Sequence, residues 1–185
     1  MSIVKYGQMI LEELHNTLTQ VDAVGCEEIA SRIIGAKRVY VAGRGRSLLM
    51  LKAFAMRLMH LGFQAFVVGE TVTPAIEKGD LLLLASGSGE TGSLVSMAKE
   101  AKEMEITMAL ITIFPQSSIA IMAETVIRIE APTSKAESDF VSIQPGGSLF
   151  EQCMLIVLDA IIIRLAAMLK MDANVEIVKR HANIE

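Results

Sequence analysis

The 185-residue sequence has few aromatic residues: they make up 4% of the chain, with no tryptophan, although 52% of the residues are hydrophobic. The core must therefore be built from aliphatic side chains and from the twelve methionines. Basic residues form no run interleaved with aromatics, and the formal net charge is −4. A nucleic acid is therefore not expected as the main partner.

Cysteine is also scarce, since only Cys26 and Cys153 are present. They lie far apart and lack the spacing of a metal site, so we expect two unreactive core thiols in a reducing compartment. The N-terminus lacks the basic and apolar regions of a signal peptide, which favours a cytoplasmic protein.

One apolar stretch, residues 149–169, is long enough to span a bilayer. Glu151, Asp159 and Arg164 interrupt it, and each charge is costly near the centre of a membrane. A helix buried in the core or at a subunit interface is the better interpretation. Together with the apolar first helix, it predicts a homo-oligomer, and no membrane partner is expected.

Short apolar runs alternate with segments of helical periodicity. The predicted strands are residues 39–42, 65–68, 81–85, 107–113 and 125–129. The predicted helices are 3–20, 26–34, 48–60, 91–104 and 149–169, with a short helix opened by residues 115–118. This alternation predicts a five-stranded parallel sheet with helices on both faces, in one domain spanning residues 1–185. Residues 131–144 are expected to form a surface loop or lid, and 171–185 a charged tail.

The segment after the third strand is typical of an anion site. Residues 86–89 are Ser-Gly-Ser-Gly, and Thr91 opens the next helix. The first N–H groups of that helix have no internal partner, and the hydroxyls of Ser86, Ser88 and Thr91 add donors. The loop contains no lysine, so it is not a P-loop. The alternative is that these are ordinary turn and N-cap residues.

A second glycine loop, residues 43–47, follows the first strand. Because both loops follow the carboxyl ends of strands, they can face one pocket. Gly43 and Gly45, with Glu70 after the next strand, resemble part of a dinucleotide site. Leu48 replaces the third glycine of that pattern, so the match to an NAD site is incomplete.

Glu151 stands just inside the long apolar helix, after the bend at residues 145–148. It either complements the helix dipole or, with a pKa raised by its apolar surroundings, acts as a base. Taken alone, His60 is typical of a histidine at a helix end, where it complements the dipole, and His181 is typical of a surface residue.

Several motifs together resemble a known family. Residues 86–91 (S-G-S-G-E-T) resemble the phosphosugar-binding loop of sugar isomerase (SIS) domains. Five further motifs resemble those of the 6-phospho-3-hexuloisomerase family. They are G-x-G-R-S at 43–47, F-A-M-R-L-M-H-L-G-F at 54–63, V-G-E at 68–70, P-x-G-S-L-F-E-Q at 145–152 and H-A-N-I-E at 181–185. The match covers nearly the whole chain.

This resemblance implies a flavodoxin-like SIS fold with added N- and C-terminal helices, assembled as a tetramer. It implies an isomerase without cofactor or metal that converts 3-hexulose 6-phosphate into fructose 6-phosphate, in the ribulose monophosphate pathway of formaldehyde fixation. A non-catalytic sugar-phosphate sensor and another aldose–ketose phosphate isomerase of the same fold remain alternatives.

The resemblance also assigns residues. The substrate-binding residues that it implies are Arg46, Ser47, Ser86, Gly87, Ser88, Gly89, Glu90 and Thr91. Glu151 matches the proposed enediol base, and His181 and His60 are candidates for an assisting histidine that in related enzymes sometimes comes from a neighbouring subunit. Arg44, Leu48, Ile113 and Phe114 depart from the pattern, and we expect them to alter pocket shape or substrate preference.

Overall fold

The structure is a computed structural model that describes residues 1–132 and 141–184. The helices are α1 (Ile3–Leu18), α2 (Ala23–Gly35), α3 (Gly45–His60), α4 (Gly92–Glu103), α5 (Ser148–Met168) and α6 (Ala173–Arg180), with a short 3₁₀ helix at Ala120–Met122. The strands are β1 (Val39–Gly43), β2 (Ala65–Val67), β3 (Leu81–Ala85), β4 (Thr107–Thr112) and β5 (Thr125–Arg128). Most of the predicted loop or lid at 131–144 lies outside the described residues.

The five strands form one parallel sheet in the order β2-β1-β3-β4-β5. Every residue of β1 and β3 is buried, as expected for strands covered on both faces. Odd-numbered strand residues such as Val41 and Leu83 pack with residues of α1, α2, α3 and α5, whereas even-numbered ones such as Leu82 and Leu84 pack with α4. This arrangement confirms the predicted flavodoxin-like α/β fold.

The strand order reverses between β1 and β3. After β1 the chain crosses through α3 to β2 on one side, and it then returns to place β3 on the other side of β1. The connections that leave β1 and β3 therefore diverge, and a crevice opens between them at the carboxyl edge of the sheet.

Helix α3 begins at Gly45, three residues before the predicted start at Leu48. Gly45 has a φ of 56°, a backbone conformation that glycine adopts at low cost, so the chain turns into the helix directly after Arg44. Arg46 and Ser47 consequently lie in the first turn of a helix rather than in a loop.

The short helix expected from Pro115 begins only at Ala120. The backbone N–H of Ser118 donates to the carboxylate of Glu90 at 2.6 Å, and the N–H of Ile119 donates to the carbonyl of Gly89 at 3.3 Å. These N–H groups are held by the loop after β3, so they do not form helical bonds.

Helix α5 contributes ten buried residues to the core, which agrees with the predicted buried helix. Within the described part of the chain, no helix taken singly has the length and apolar character of a membrane span. The pair α5 and α6 passes that test only when the two are joined, and they are bent by 102° relative to each other.

The two cysteines are unpaired. Cys153 is buried in α5 and Cys26 is half-buried in α2. Burial raises the pKa of both thiols to about 11, so the reactive thiolate is scarce at neutral pH.

Candidate active site

A cleft of about 300 Å³ lies at the carboxyl edge of the sheet where the strand order reverses. Its walls come from the start of α3, the loop after β3, the residue after β4 and the start of α5. The predicted site residues that line it are Arg46, Ser47, Ser86, Gly87, Ser88, Thr91 and Glu151. The fold thus brings together residues separated by up to about a hundred positions in the sequence.

The loop after β3 is shaped by its own hydroxyls. Ser86 Oγ accepts a hydrogen bond from the N–H of Gly89 at 3.1 Å and lies 3.2 Å from Thr91 Oγ1. Ser88 Oγ accepts from the N–H of Glu90 at 3.2 Å. These bonds fix three hydroxyl oxygens at the wall of the cleft, where they can also donate to a bound anion.

Helix α4 starts at the same wall. Thr91 is its N-cap but makes no side-chain hydrogen bond to the helix, and the first turn contains no acidic residue. The first N–H groups of α4 and the positive end of its dipole therefore face the cleft without a carboxylate of their own. This is a suitable place for a phosphate group.

Gly89 and Glu90 belong to the loop after β3 but do not line the cleft. Gly89 has a φ of 62°, and a Cβ on it would overlap Ser117 Oγ. Glu90 accepts the hydrogen bond from Ser118, which lowers the pKa of its carboxyl group. Both residues therefore tie the loop after β3 to the segment after β4, and the substrate contact expected of them stays a prediction.

Glu151 lies in the first turn of α5, and its side chain is 14% exposed. Arg46 Nε, in the first turn of α3, donates to Glu151 Oε2 at 2.6 Å. Burial raises the pKa of Glu151, the hydrogen bond and charge of Arg46 oppose this, and the pKa stays above its ordinary value. A partly buried carboxylate with a raised pKa is suited to proton transfer.

The other oxygen of Glu151, Oε1, lies near Gly147. Gly147 also lines the cleft, and a Cβ on Gly147 would stand 3.7 Å from Glu151 Oε1. Arg46 thus holds one carboxylate oxygen, while the other lies near the glycine at the start of α5.

The two predicted histidines lie far from this cleft. His60 is the last residue of α3, and at 1.5 Å per residue it lies about 22 Å along the helix from Gly45. Its ring is 2% exposed and stacks on that of His181, with centroids 5.6 Å apart. Burial, and then the charges of Arg57 and His181, lower the pKa of His60. Neither histidine lines the cleft of its own chain.

Seven further residues line the cleft, and they were not predicted from the sequence as substrate-binding or catalytic residues. They are Arg44, Gly45, Ala85, Leu94, Ile113, Gly147 and Phe150. Of the four departures from the family pattern, Arg44 and Ile113 line the cleft, whereas Leu48 and Phe114 do not. Phe150 belongs to the quoted motif at 145–152, so its signal was present in the sequence.

The incomplete dinucleotide pattern gains no support from the geometry. Glu70, the candidate ribose ligand, pairs with Lys52 at 2.5 Å and does not line the cleft. Among the described residues, no three His, Cys, Asp or Glu side chains are placed to hold a metal ion.

Comparison with known proteins relates the chain to sugar isomerases. The SIS domain model matches residues 32–161. A 3-hexulose-6-phosphate isomerase of Bacillus subtilis is 41% identical over 186 residues, covering 100% of both chains. Another, from Mycobacterium gastri, is 41% identical over 177 residues, covering 96% of this chain and 88% of that protein.

A solved structure shows the same similarity. The crystal structure of a hypothetical protein from Methanococcus jannaschii superposes with a TM-score of 0.83. That structure was taken to infer a molecular function of 3-hexulose-6-phosphate isomerase for that protein. Its sequence is 35% identical, and the alignment covers 98% of this chain and 99% of that one.

Gly89→Ala should destabilise the chain by about 1–3 kcal/mol, because alanine is strained at positive φ and its Cβ would push Ser117 away. Gly92→Ala is the matched control: it lies in the same region, at the start of α4, and its Cβ would meet no described atom within 4 Å apart from its chain neighbours and the backbone of its own helix. Urea unfolding at one protein concentration, followed by circular dichroism, measures both. Equal stability of the two variants would show that the loop does not need glycine at position 89.

Proposed function

The chain belongs to the SIS-domain family, and we propose that it isomerises 3-hexulose 6-phosphate to fructose 6-phosphate. The observation that carries the proposal is the shared cleft, which is lined both by the loop after β3 and by Glu151. A relative with this name matches the chain over its full length, which supports the same reaction here. The reaction follows condensation of formaldehyde with ribulose 5-phosphate in the ribulose monophosphate pathway.

Phosphate binding comes first. The substrate phosphate is held by the N-terminus of α4 and by the hydroxyls of Ser86, Ser88 and Thr91, with Ser47 at the opposite wall. This anchor places the sugar carbons beside Glu151, and such positioning replaces a chance encounter by a fixed geometry. Arg46, which also lines the cleft, contacts the sugar or holds the base.

The isomerisation requires a base that removes a proton from one carbon and returns it to the neighbouring carbon. Glu151 removes the proton from C2 of the 3-hexulose, the electrons of the C–H bond form the C2–C3 double bond, and the electrons of the C3 carbonyl move to its oxygen, which gives the anion of a cis-enediol. The same carboxyl group returns the proton to C3 while a proton passes from the oxygen on C2 to that on C3. The carbonyl group has then moved from C3 to C2, with no atom gained or lost.

Two alternatives use the same loop. A non-catalytic sugar-phosphate sensor needs the phosphate site but has no need for a partly buried carboxylate of raised pKa opposite it. Another aldose–ketose phosphate isomerase would keep Glu151, and it is disfavoured because two relatives that are 41% identical to this chain carry the name 3-hexulose-6-phosphate isomerase.

We also propose that the chain assembles with itself as a homotetramer. Apolar side chains on α1 and α5 remain exposed in the single chain, including Leu11 and Ile163 at 66% and 70%. An apolar groove of about 390 Å³ lies between the start of α2 and α5, with the Glu27–Arg164 ion pair at its edge. A second copy of the chain would cover these surfaces.

Assembly gives the histidines a route to catalysis. His60 and His181 cannot reach Glu151 of their own chain, so either acts only in the cleft of a neighbouring subunit. His181 is exposed and His60 lies buried beneath it. We therefore assign the assisting role to His181, with His60 as its support.

Glu151→Gln should lower kcat by about 10²- to 10⁴-fold, because glutamine keeps the shape of the side chain but cannot accept the proton. Binding of fructose 6-phosphate should change little, since the phosphate contacts lie elsewhere. Isomerisation rates and exchange of the C2 and C3 hydrogens with deuterated water measure this effect.

Glu103→Gln is the control for Glu151→Gln, because it makes the same substitution at an exposed position at the far end of α4. It should isomerise and exchange at the wild-type rate. A folded Glu151→Gln variant that binds fructose 6-phosphate and exchanges at the wild-type rate would show that the base lies elsewhere.

Arg46→Gln should move the acidic limb of the kcat/KM profile to higher pH. Glu151 acts as a base only when ionised, so kcat/KM falls as the pH drops through the pKa of Glu151. Arg46 lowers this pKa, and its removal leaves the effect of burial unopposed. Arg46→Lys keeps the charge and should shift the limb less. An unchanged acidic limb in Arg46→Gln would contradict the assignment of that limb to Glu151.

Light scattering at micromolar protein should give a mass about four times that of the 20.0-kDa chain. The apolar faces of α1 and α5 are the expected contacts. A stable monomer would refute the assembly and would also remove any role for a neighbour's histidine.

A further inference from the structure

Arg44 is the single residue between β1 and α3, and it lines the cleft. Its Nε donates to Ser93 Oγ at 3.1 Å, and its Nη1 donates to the carbonyl of Gly43 at 3.1 Å. Ser93 is the second residue of α4. These two bonds hold the guanidinium group of Arg44 beside the N-terminus of that helix.

The charge of Arg44 is not neutralised by a carboxylate in the part of the chain that the structure describes. Arg46, the other arginine of the cleft, forms an ion pair with Glu151. Both partners of Arg44 are uncharged oxygens, and they use two of the five N–H groups of a guanidinium. Three N–H groups and a full positive charge therefore remain for a ligand.

The position of this charge is itself informative. A cation beside a helix N-terminus opposes the positive end of the helix dipole, so the arrangement is unfavourable by itself. The first turn of α4 contains no acidic residue that would relieve it. An anion placed between the guanidinium group and the helix would interact favourably with both.

We propose that Arg44 is a phosphate-binding residue that supplies the cation absent from the loop at residues 86–91, and that Ser93 positions it. This inference rests on the proposed function of the cleft and adds to it. The dianion of the phosphate ester should bind better than the monoanion, and neutral sugars should gain nothing from Arg44.

Calorimetric titration with fructose 6-phosphate, inorganic phosphate and fructose tests this. Arg44→Gln keeps polar groups but loses the charge, and it should weaken binding of both phosphate compounds by about 10-fold or more, the usual value of a charge-assisted hydrogen bond. Arg44→Lys should retain much of the affinity. Lys99→Gln, which removes a charge from an exposed position farther along α4, is the control and should bind as wild type.

Two further readouts separate phosphate binding from a structural role. The second ionisation of a phosphate ester has a pKa of about 6, so wild-type affinity should rise between pH 5 and pH 8, and it should rise less in Arg44→Gln. Ser93→Ala should weaken binding in the wild-type background and have little further effect in Arg44→Gln, because Ser93 acts through Arg44.

The outcomes distinguish this inference from the function on which it rests. Wild-type protein that binds fructose as well as fructose 6-phosphate would overturn both. A wild-type preference for the phosphate that Arg44→Gln retains in full would overturn the role of Arg44 alone. Equal losses in Arg44→Lys and Arg44→Gln would also overturn it, because they would show that the charge is not what binds.

Discussion

The reversal of strand order between β1 and β3 is the constraint on which the site depends. It forces the connections after these strands apart, so the first turn of α3 and the loop before α4 face each other across a crevice. The fully buried strands hold both connections on a rigid base. Helix α5 then adds Glu151 from a third direction, so the proposed base and the proposed phosphate loop line one cleft.

In the proposed reaction, the charge distribution within the cleft separates the base from the phosphate site. Arg46 pairs with Glu151 and keeps a partly buried carboxylate available as a base, whereas the opposite wall holds the positive end of α4 without any acidic side chain. A phosphosugar has the matching polarity, with a dianion at one end and a carbon acid near the other. We therefore expect the charges of the cleft to orient the substrate before any contact with the sugar hydroxyls is considered.

The sequence predicted the parts of the fold that local patterns determine. The bounds of β3 were predicted correctly because its apolar run is closed by turn residues on both sides. The start of α3 was missed, since a glycine of positive φ that opens a helix looks the same in a sequence as one in a loop. The hydrogen bond from Ser118 to Glu90 and the hydrogen bond from Arg44 to Ser93 join segments that are distant in the sequence. No local pattern predicts such contacts.

The most direct measurement is a coupled assay of the isomerisation itself. 3-Hexulose 6-phosphate is made enzymatically from formaldehyde and ribulose 5-phosphate, the purified chain is added, and the appearance of fructose 6-phosphate is followed. We expect fructose 6-phosphate to form at a rate proportional to the concentration of the chain. A chain that binds fructose 6-phosphate through its phosphate group but forms none from the hexulose phosphate would contradict this account and would identify a sensor in place of an enzyme.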